Sequence, residues 1–292
     1  MGRDGFSSFH PAVNFLFFVG AIGFGVVIQH PAYLAAGAVC GFAYYLLLKG
    51  WKGLKLLLAM IPMFLLITLI NPLVNTYGKT VLFTWFGRKW TLEAMVYGMV
   101  LGGMFVLMMV WFGGYNVVLT SDRFVCLFGS LIPALSLLLV MVLRLIPSFM
   151  RKTKQIIGAR NAIGKGGNEN TSFQDKAASG MTVLSALTDW ALEGSIVTAD
   201  SMRARGYGSA RRTSFRIYRM TGRDWAVLIV ETVLALLVIL TIALGGTDAA
   251  FTYRITIAPI TWGYAAYWAF LLIPTVIQIK EEIQWRIILS KI

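Results

Sequence analysis

Long apolar runs alternate with short polar segments along most of the chain. Windows of about 20 apolar residues, the length that crosses a bilayer as a helix, occur at 12–28, 31–48, 54–75, 93–118, 225–244 and 258–278. The pattern therefore predicts an all-α membrane protein with about six transmembrane helices.

One further segment, 131–149, is almost long enough to span but contains Arg144. Short loops rich in Lys and Arg stay on the cytoplasmic side of a membrane. If 131–149 does not cross and the N-terminus is cytoplasmic, 22 of the 26 basic residues lie inside; a seven-span alternative places 19 there. The charge pattern favours six spans with both termini in the cytoplasm. We therefore expect a multi-pass protein of the plasma membrane. Whether 131–149 lies at the interface or partly inserts stays open.

Composition agrees with the membrane class. The chain has 292 residues, of which 58% are hydrophobic and 13% charged, and a mean hydropathy of +0.72, far above a soluble domain. The positive-inside rule accounts for most of the net charge of +13, so no nucleic-acid partner is needed. Two cysteines, Cys40 and Cys126, lie in or beside apolar segments and indicate neither a disulfide framework nor a metal site. We expect no cofactor.

The organisation changes between residues 120 and 223. We divide the chain into membrane helices 1–4 (1–119), a cytoplasmic domain (120–223), and membrane helices 5–6 with a tail (224–292). Before the change, residues 76–91 predict a hairpin, and Thr91 with Glu93 predicts a helix start.

Within 120–223 the pattern predicts three helices. A short one follows Thr120, Ser121 and Asp122, and a long one covers 133–160. After a linker at 164–176, apolar residues recur at helical spacing from Met181 to Met202 and predict an amphipathic helix.

The two long helices are expected to end in similar tripeptides, Ala159-Arg160-Asn161 and Ala204-Arg205-Gly206. Glycine just past a helix end adopts the left-handed conformation at no steric cost, and asparagine is its usual substitute. Each end would then present one arginine beside a small alanine. Arg near a helix C-terminus complements the helix dipole, and Arg is also enriched at the centres of protein interfaces.

These stretches, "LRLIPSF" leading to "GARN" and "ADSMRARGYG", resemble the T component of energy-coupling factor (ECF) transporters, an ABC-type uptake system of prokaryotes. The resemblance covers nearly the whole chain. It implies that Arg160 and Arg205 each insert into a groove on one of two ABC ATPase subunits, and that Ala159, Asn161, Ala204 and Gly206 shape the two ends. The first signature has Asn161 where the family commonly has glycine.

The resemblance also implies a role without catalysis. ATP hydrolysis belongs to the partner ATPases, and residues 121–149 transmit their motion to a small membrane-embedded substrate-binding (S) component that carries a vitamin or metal ion. An S-component interface would include Leu138, Met141, Leu145 and Pro147. No phosphate-binding loop signature occurs in the chain.

Two alternatives belong to other classes. "EEIQWR" at 281–286 matches the Glu-Glu-x-x-x-Arg signature of membrane-embedded CAAX-type proteases, but the two histidines, His10 and His30, flank one span and would lie about 30 Å apart. A channel would need polar residues repeated within the spans. Glu231 is the only acid well inside one, and we expect it to hydrogen-bond to a neighbouring helix.

Overall fold

The computed structural model describes residues 5–75, 78–85, 88–128, 133–164, 173–209, 218–251 and 255–289. These residues form two compact units. The first unit combines Met1–Phe124 with Tyr218–Ile292, and the second consists of Val125–Ile217. The predicted boundaries at 119/120 and 223/224 stay predictions.

Among the described residues of the first unit are six apolar helices, and each lies on a predicted span. They are α1 (Pro11–Val27), α2 (Pro31–Lys49), α3 (Trp51–Val74), α4 (Leu92–Val118), α8 (Gly222–Ala243) and α9 (Trp262–Leu289). All except α1 are long and apolar enough to cross a membrane, and α1 is a shorter apolar helix of 17 residues. The all-α membrane fold is confirmed.

Capping side chains fix where these helices begin. Pro11 and Pro31 occupy first-turn positions, and the Nδ1 atoms of His10 and His30 each accept a hydrogen bond at 3.2 Å from the backbone two residues later. The predicted start at Thr91 is confirmed, because its hydroxyl accepts from the Ala94 backbone N–H.

Aromatic side chains fill the core of the first unit. The Phe17 ring stacks on Phe270 with centroids 5.1 Å apart and meets Trp111 edge-on at 5.5 Å, and Trp111 stacks on Tyr44 at 6.1 Å. Each such pair contributes about 0.5–1.5 kcal/mol beyond the burial of its area. The contacts join α1, α2, α4 and α9 around one cluster.

Polar contacts connect the helix ends on both sides of this unit. At one end, the His10 N–H donates to Asp224 Oδ1 at 3.1 Å and the Gly5 N–H donates to Gln278 Oε1 at 2.7 Å. At the other end, His30 Nε2 lies 3.0 Å from the Ala258 carbonyl oxygen. The starts of α1 and α8 and the last turns of α9 therefore share one side of the unit.

The predicted hairpin is confirmed. Strand β1 (Val81–Trp85) pairs antiparallel with β2 (Arg88–Thr91). The Glu93 carboxylate accepts from the Lys79 and Thr80 backbone N–H groups at 3.2 Å each, which holds the hairpin against the start of α4. A second pair of two-residue strands, β3 (Ala249–Ala250) and β4 (Thr256–Ile257), lies between α8 and α9.

The second unit contains the two long helices. The short α5 (Ser121–Phe128) leads to α6 (Pro133–Ala162) and α7 (Phe173–Ala204), and α6 confirms the predicted helix at 133–160. The linker at 164–176 was predicted too long, because α7 begins at Phe173 with Asp175 in its first turn, where an acid complements the helix dipole. Among the described helices, α6 does not meet the spanning criteria of length, hydropathy and charge that α2, α3, α4, α8 and α9 meet.

Candidate functional site at the ends of two long helices

Helices α6 and α7 pack antiparallel around an aromatic contact. The Phe149 ring on α6 meets Trp190 on α7 edge-on, with centroids 5.5 Å apart, and Lys152 Nζ lies 5.9 Å from the Trp190 ring centroid. Further along, Arg160 Nη2 donates to Ser179 Oγ at 3.1 Å. Residue numbers rise on α6 as they fall on α7, so the C-terminal ends of the two helices point in opposite directions.

The C-terminal end of α7 is a complete Schellman motif. Gly206 has φ of +78°, its N–H donates to the Arg203 carbonyl at 2.9 Å, and the Tyr207 N–H donates to the Met202 carbonyl at 3.0 Å. The predicted end at Arg205-Gly206 is confirmed. Because Gly206 turns the backbone sharply, Arg205 occupies the last position before the turn.

The end of α6 differs from its predicted form. Asn161 is helical, the helix continues to Ala162, and the left-handed residue is Gly164, with φ of +75° and its N–H donating to the Asn161 carbonyl at 3.1 Å. The expectation that Asn161 takes the role of glycine is therefore wrong. Ala162 and Ile163 follow Asn161 without a residue suited to positive φ, so the turn waits for the first glycine.

The two arginines consequently hold different places at their helix ends. Arg205 lies immediately before its left-handed glycine, whereas Arg160 lies four residues before Gly164. Arg160 is half-buried against Ser179, and Arg205 is exposed. Within the described part of the chain, the guanidinium of Arg205 has no hydrogen-bond or ion-pair partner, so its donors are available to another molecule.

A large distance separates the two arginines along the helix pair. The Arg160 guanidinium touches Ser179, and Arg205 follows Ser179 by 26 positions along α7 and its end, which corresponds to about 39 Å at 1.5 Å per residue. One small ligand cannot contact both. The two guanidinium groups therefore lie toward opposite ends of one helix pair.

The apolar residues that recur along α7 are only partly covered within its unit. Trp190 and its neighbours on the packed face are half-buried, while four of these apolar residues have between 56% and 65% of their surface exposed: Met181, Leu184, Leu192 and Ile196. Exposed apolar area on this scale is typical of surfaces that bind protein or membrane.

Helix α6 carries a similar surface at the residues predicted for an S-component interface. Leu138 and Leu145 are 57% and 40% exposed, Pro147 is exposed, and Met141 is half-buried. Pro147 does not end the helix, which continues through it to Ala162. The other residues of the second unit therefore leave this surface at least partly uncovered.

The structure does not assemble the protease-like residues into a site. His10 caps the start of α1 and His30 caps the start of α2. The Glu282 carboxylate pairs with Arg286 at 2.9 Å, one turn further along α9. Among the residues that the structure describes, no group of three or more His, Cys, Asp or Glu could hold a metal ion.

Glu231 lies in the packed interior of the first unit. Its side chain is 1% exposed, and neither carboxylate oxygen has a hydrogen-bond partner among the described residues. The expectation that it hydrogen-bonds to a neighbouring helix is therefore not met.

No family model matches the chain. Part of the sequence is similar to a curated protein. The energy-coupling factor transporter transmembrane protein EcfT of Lacticaseibacillus paracasei is 36% identical over 93 residues, which cover 31% of this chain. The matched stretch spans about a third, 34%, of the length of that relative. The similarity points to the family that the arginine-bearing ends resemble.

Sequence reasoning missed three residues that organise the site. Gly164, rather than Asn161, ends α6. The available signal was that Gly164 is the first glycine after the predicted helix. Trp190 was recognisable as a large aromatic residue in an amphipathic helix. The Arg160–Ser179 contact depends on how α6 packs on α7 and left no signal in either segment alone.

Proposed function

We propose that this chain is the transmembrane coupling subunit of an ECF-type ABC importer. It has no catalytic site of its own in this proposal and depends on two partner ATPases for ATP hydrolysis. The observation that carries the proposal is the helix pair α6–α7, whose opposite ends each bear an arginine. The similarity to EcfT of L. paracasei supports the same family.

The ATPase contacts are Arg160 at one end and Arg205 at the other. Ala159 and Asn161 flank the first arginine, and Ala204 and Gly206 flank the second. A planar guanidinium offers five donors in a fixed fork that suits carboxylates on a partner. The separation of about 39 Å along α7 gives each ATPase its own docking point.

The S component docks on the apolar surface of α6 that includes Leu138, Met141, Leu145 and Pro147. Three of these residues are exposed within their unit, as a docking surface requires. Closure of the ATPases on ATP moves the helix ends that they hold, and the stiff helices pass this motion to the S component. The vitamin or metal ion is chosen by the S component.

The helix pair faces the cytoplasm, where the ATPases are. The segment 150–223 carries 13 Lys and Arg residues, and an excess of these residues beside transmembrane helices marks the cytoplasmic side. Both chain termini lie on the same side in this arrangement, which requires an even number of spans.

Charge reversal of both arginines tests the proposal. Arg160→Glu with Arg205→Glu removes both guanidinium groups and places a negative charge in each partner groove. Each replacement should weaken binding by about 2–5 kcal/mol. We expect the ATPases to be lost on co-purification and uptake by membrane vesicles to stop.

Arg151→Glu provides the matched control. Arg151 lies on the same helix and is exposed, but it is more than two turns before Arg160. It should retain both ATPases. If the double variant keeps them as well, the assignment of the helix ends is wrong.

A further inference from the structure

The junction between α2 and α3 concentrates positive charge at a membrane surface. Gly50 alone connects the two apolar helices, so the junction must lie where both leave the bilayer. Lys49, Lys52 and Lys55 are all exposed there, and Trp51 has 88% of its surface exposed. An exposed indole beside lysines is the composition typical of the headgroup region.

These lysines have no acidic neighbour along the chain. The sequence contains no Asp or Glu between Asp4 and Glu93, a stretch that includes all of α1, α2 and α3. No residue of α1, α2 or α3 can therefore form an ion pair with Lys49, Lys52 or Lys55. The charge suits a phosphate group from outside the protein.

An apolar cleft lies below the same junction. It has a volume of about 500 Å³ and is bounded by α2, α3 and α4, with Ala38, Phe42, Leu57, Phe64 and Gly103 among its lining residues. Every residue that lines the cleft is apolar. Water is poorly accommodated in such a cleft, and hydrocarbon is well accommodated.

The cleft is elongated and starts close to the lysines. On α2 its lining extends from Pro31 to Phe42, which corresponds to about 16 Å along the helix. Phe42, at its near end, lies seven residues before Lys49, about 10 Å along α2, and both side chains project from the same face because seven residues make almost two full turns. A headgroup at the lysines would have one of its acyl chains directed along this cleft.

We propose that the α2–α3 junction and the cleft together bind one anionic phospholipid. The lipid phosphate contacts Lys49, Lys52 and Lys55, the Trp51 indole lies in the adjacent headgroup layer, and one acyl chain fills the space between α2, α3 and α4. This site is independent of the proposed coupling function, because it uses none of the residues of α6 or α7.

Two kinds of variant test the headgroup and the acyl chain separately. Lys49→Gln, Lys52→Gln and Lys55→Gln together remove the charge and leave the cleft intact. Gly103→Leu fills the cleft and leaves the charge, and a Cβ atom at Gly103 meets nothing within 4 Å, so the helix tolerates it. Gly23→Leu is the control, since Gly23 in α1 has equally open space around its Cβ but lies outside the cleft.

The full-length protein is purified in detergent and equilibrated with mixed micelles of phosphatidylglycerol and phosphatidylcholine, and native mass spectrometry counts the lipids retained per chain. We expect one phosphatidylglycerol retained in preference to phosphatidylcholine, with affinity falling about fivefold for each lysine removed. Gly103→Leu should lose the retained lipid regardless of headgroup, and Gly23→Leu should keep it.

Three results would overturn the proposal. The first is that the wild-type protein retains the two lipids equally. The second is that Gly103→Leu and Gly23→Leu retain lipid equally. The third is that a polypeptide, rather than a lipid, occupies the cleft and is lost in Gly103→Leu.

Discussion

Gly206 ends α7 and sets the position of Arg205, so replacing it tests whether the shape of this helix end matters. The residue has φ of +78°, where a side chain costs about 1–2 kcal/mol. In Gly206→Ala the turn either keeps its conformation at that cost or opens, with loss of the hydrogen bonds from Gly206 to Arg203 and from Tyr207 to Met202. In both cases the closed turn that positions Arg205 in the native chain becomes less populated.

The expected effect on binding follows from that cost. If the ATPase recognises the closed Schellman turn, a penalty of 1–2 kcal/mol weakens its affinity about 5- to 30-fold. The ATPase that binds the Arg160 end should keep its affinity. We would measure both dissociation constants with each purified ATPase and the detergent-solubilised chain.

A second glycine of the same helix serves as the control. Gly194 lies inside α7, has normal helical backbone geometry, and a Cβ atom added there meets nothing within 4 Å. Gly194→Ala should stabilise the helix by about 0.5–1 kcal/mol and leave binding unchanged. If Gly206→Ala binds its ATPase as tightly as Gly194→Ala does, the conformation of the helix end is not what the partner recognises.

Four further changes separate the roles of the surrounding residues. Ser179→Ala removes the hydrogen bond to Arg160, about 1 kcal/mol, and should weaken only the ATPase at that end; equal weakening at both ends would contradict the geometry. Trp190→Ala removes the ring contact with Phe149 and should lower the stability of the helix pair by about 1–3 kcal/mol in thermal unfolding followed by circular dichroism. Glu231→Gln keeps the side-chain shape and breaks no hydrogen bond to a described residue, so the unfolding midpoint should not fall; a clear fall would reveal a partner. Glu281→Gln with Glu282→Gln breaks the exposed ion pair between Glu282 and Arg286, worth about 0.3–0.5 kcal/mol, and uptake in vesicles should persist.

The transmembrane helices were predictable because each is specified within its own segment. A run of about 20 apolar residues has few alternatives to a membrane helix, and the flanking Pro, His and Thr residues fix its start by local hydrogen bonds. The hairpin that ends at Thr91 and the long helix of 133–160 were found for the same reason. Local chemistry determined them.

The details of the two helix ends were less predictable. The tripeptides around Arg160 and Arg205 are similar, but the following residues differ, and only Gly206 lies next to its arginine. The helix end depends on the first residue that can turn, which the tripeptide alone does not contain. Contacts such as Arg160–Ser179 depend on the packing of one helix against another, so no single segment encodes them.

Site-specific crosslinking at positions 160 and 205 tests the central claim most directly. A photoreactive amino acid would be placed at each position in turn, in cells that also express the partner ATPases. We expect each position to crosslink to an ATPase, with different partner chains captured at the two ends, and a photoreactive residue at 151 to capture neither. Crosslinks to lipid, or to no nucleotide-binding protein at either position, would contradict the coupling function.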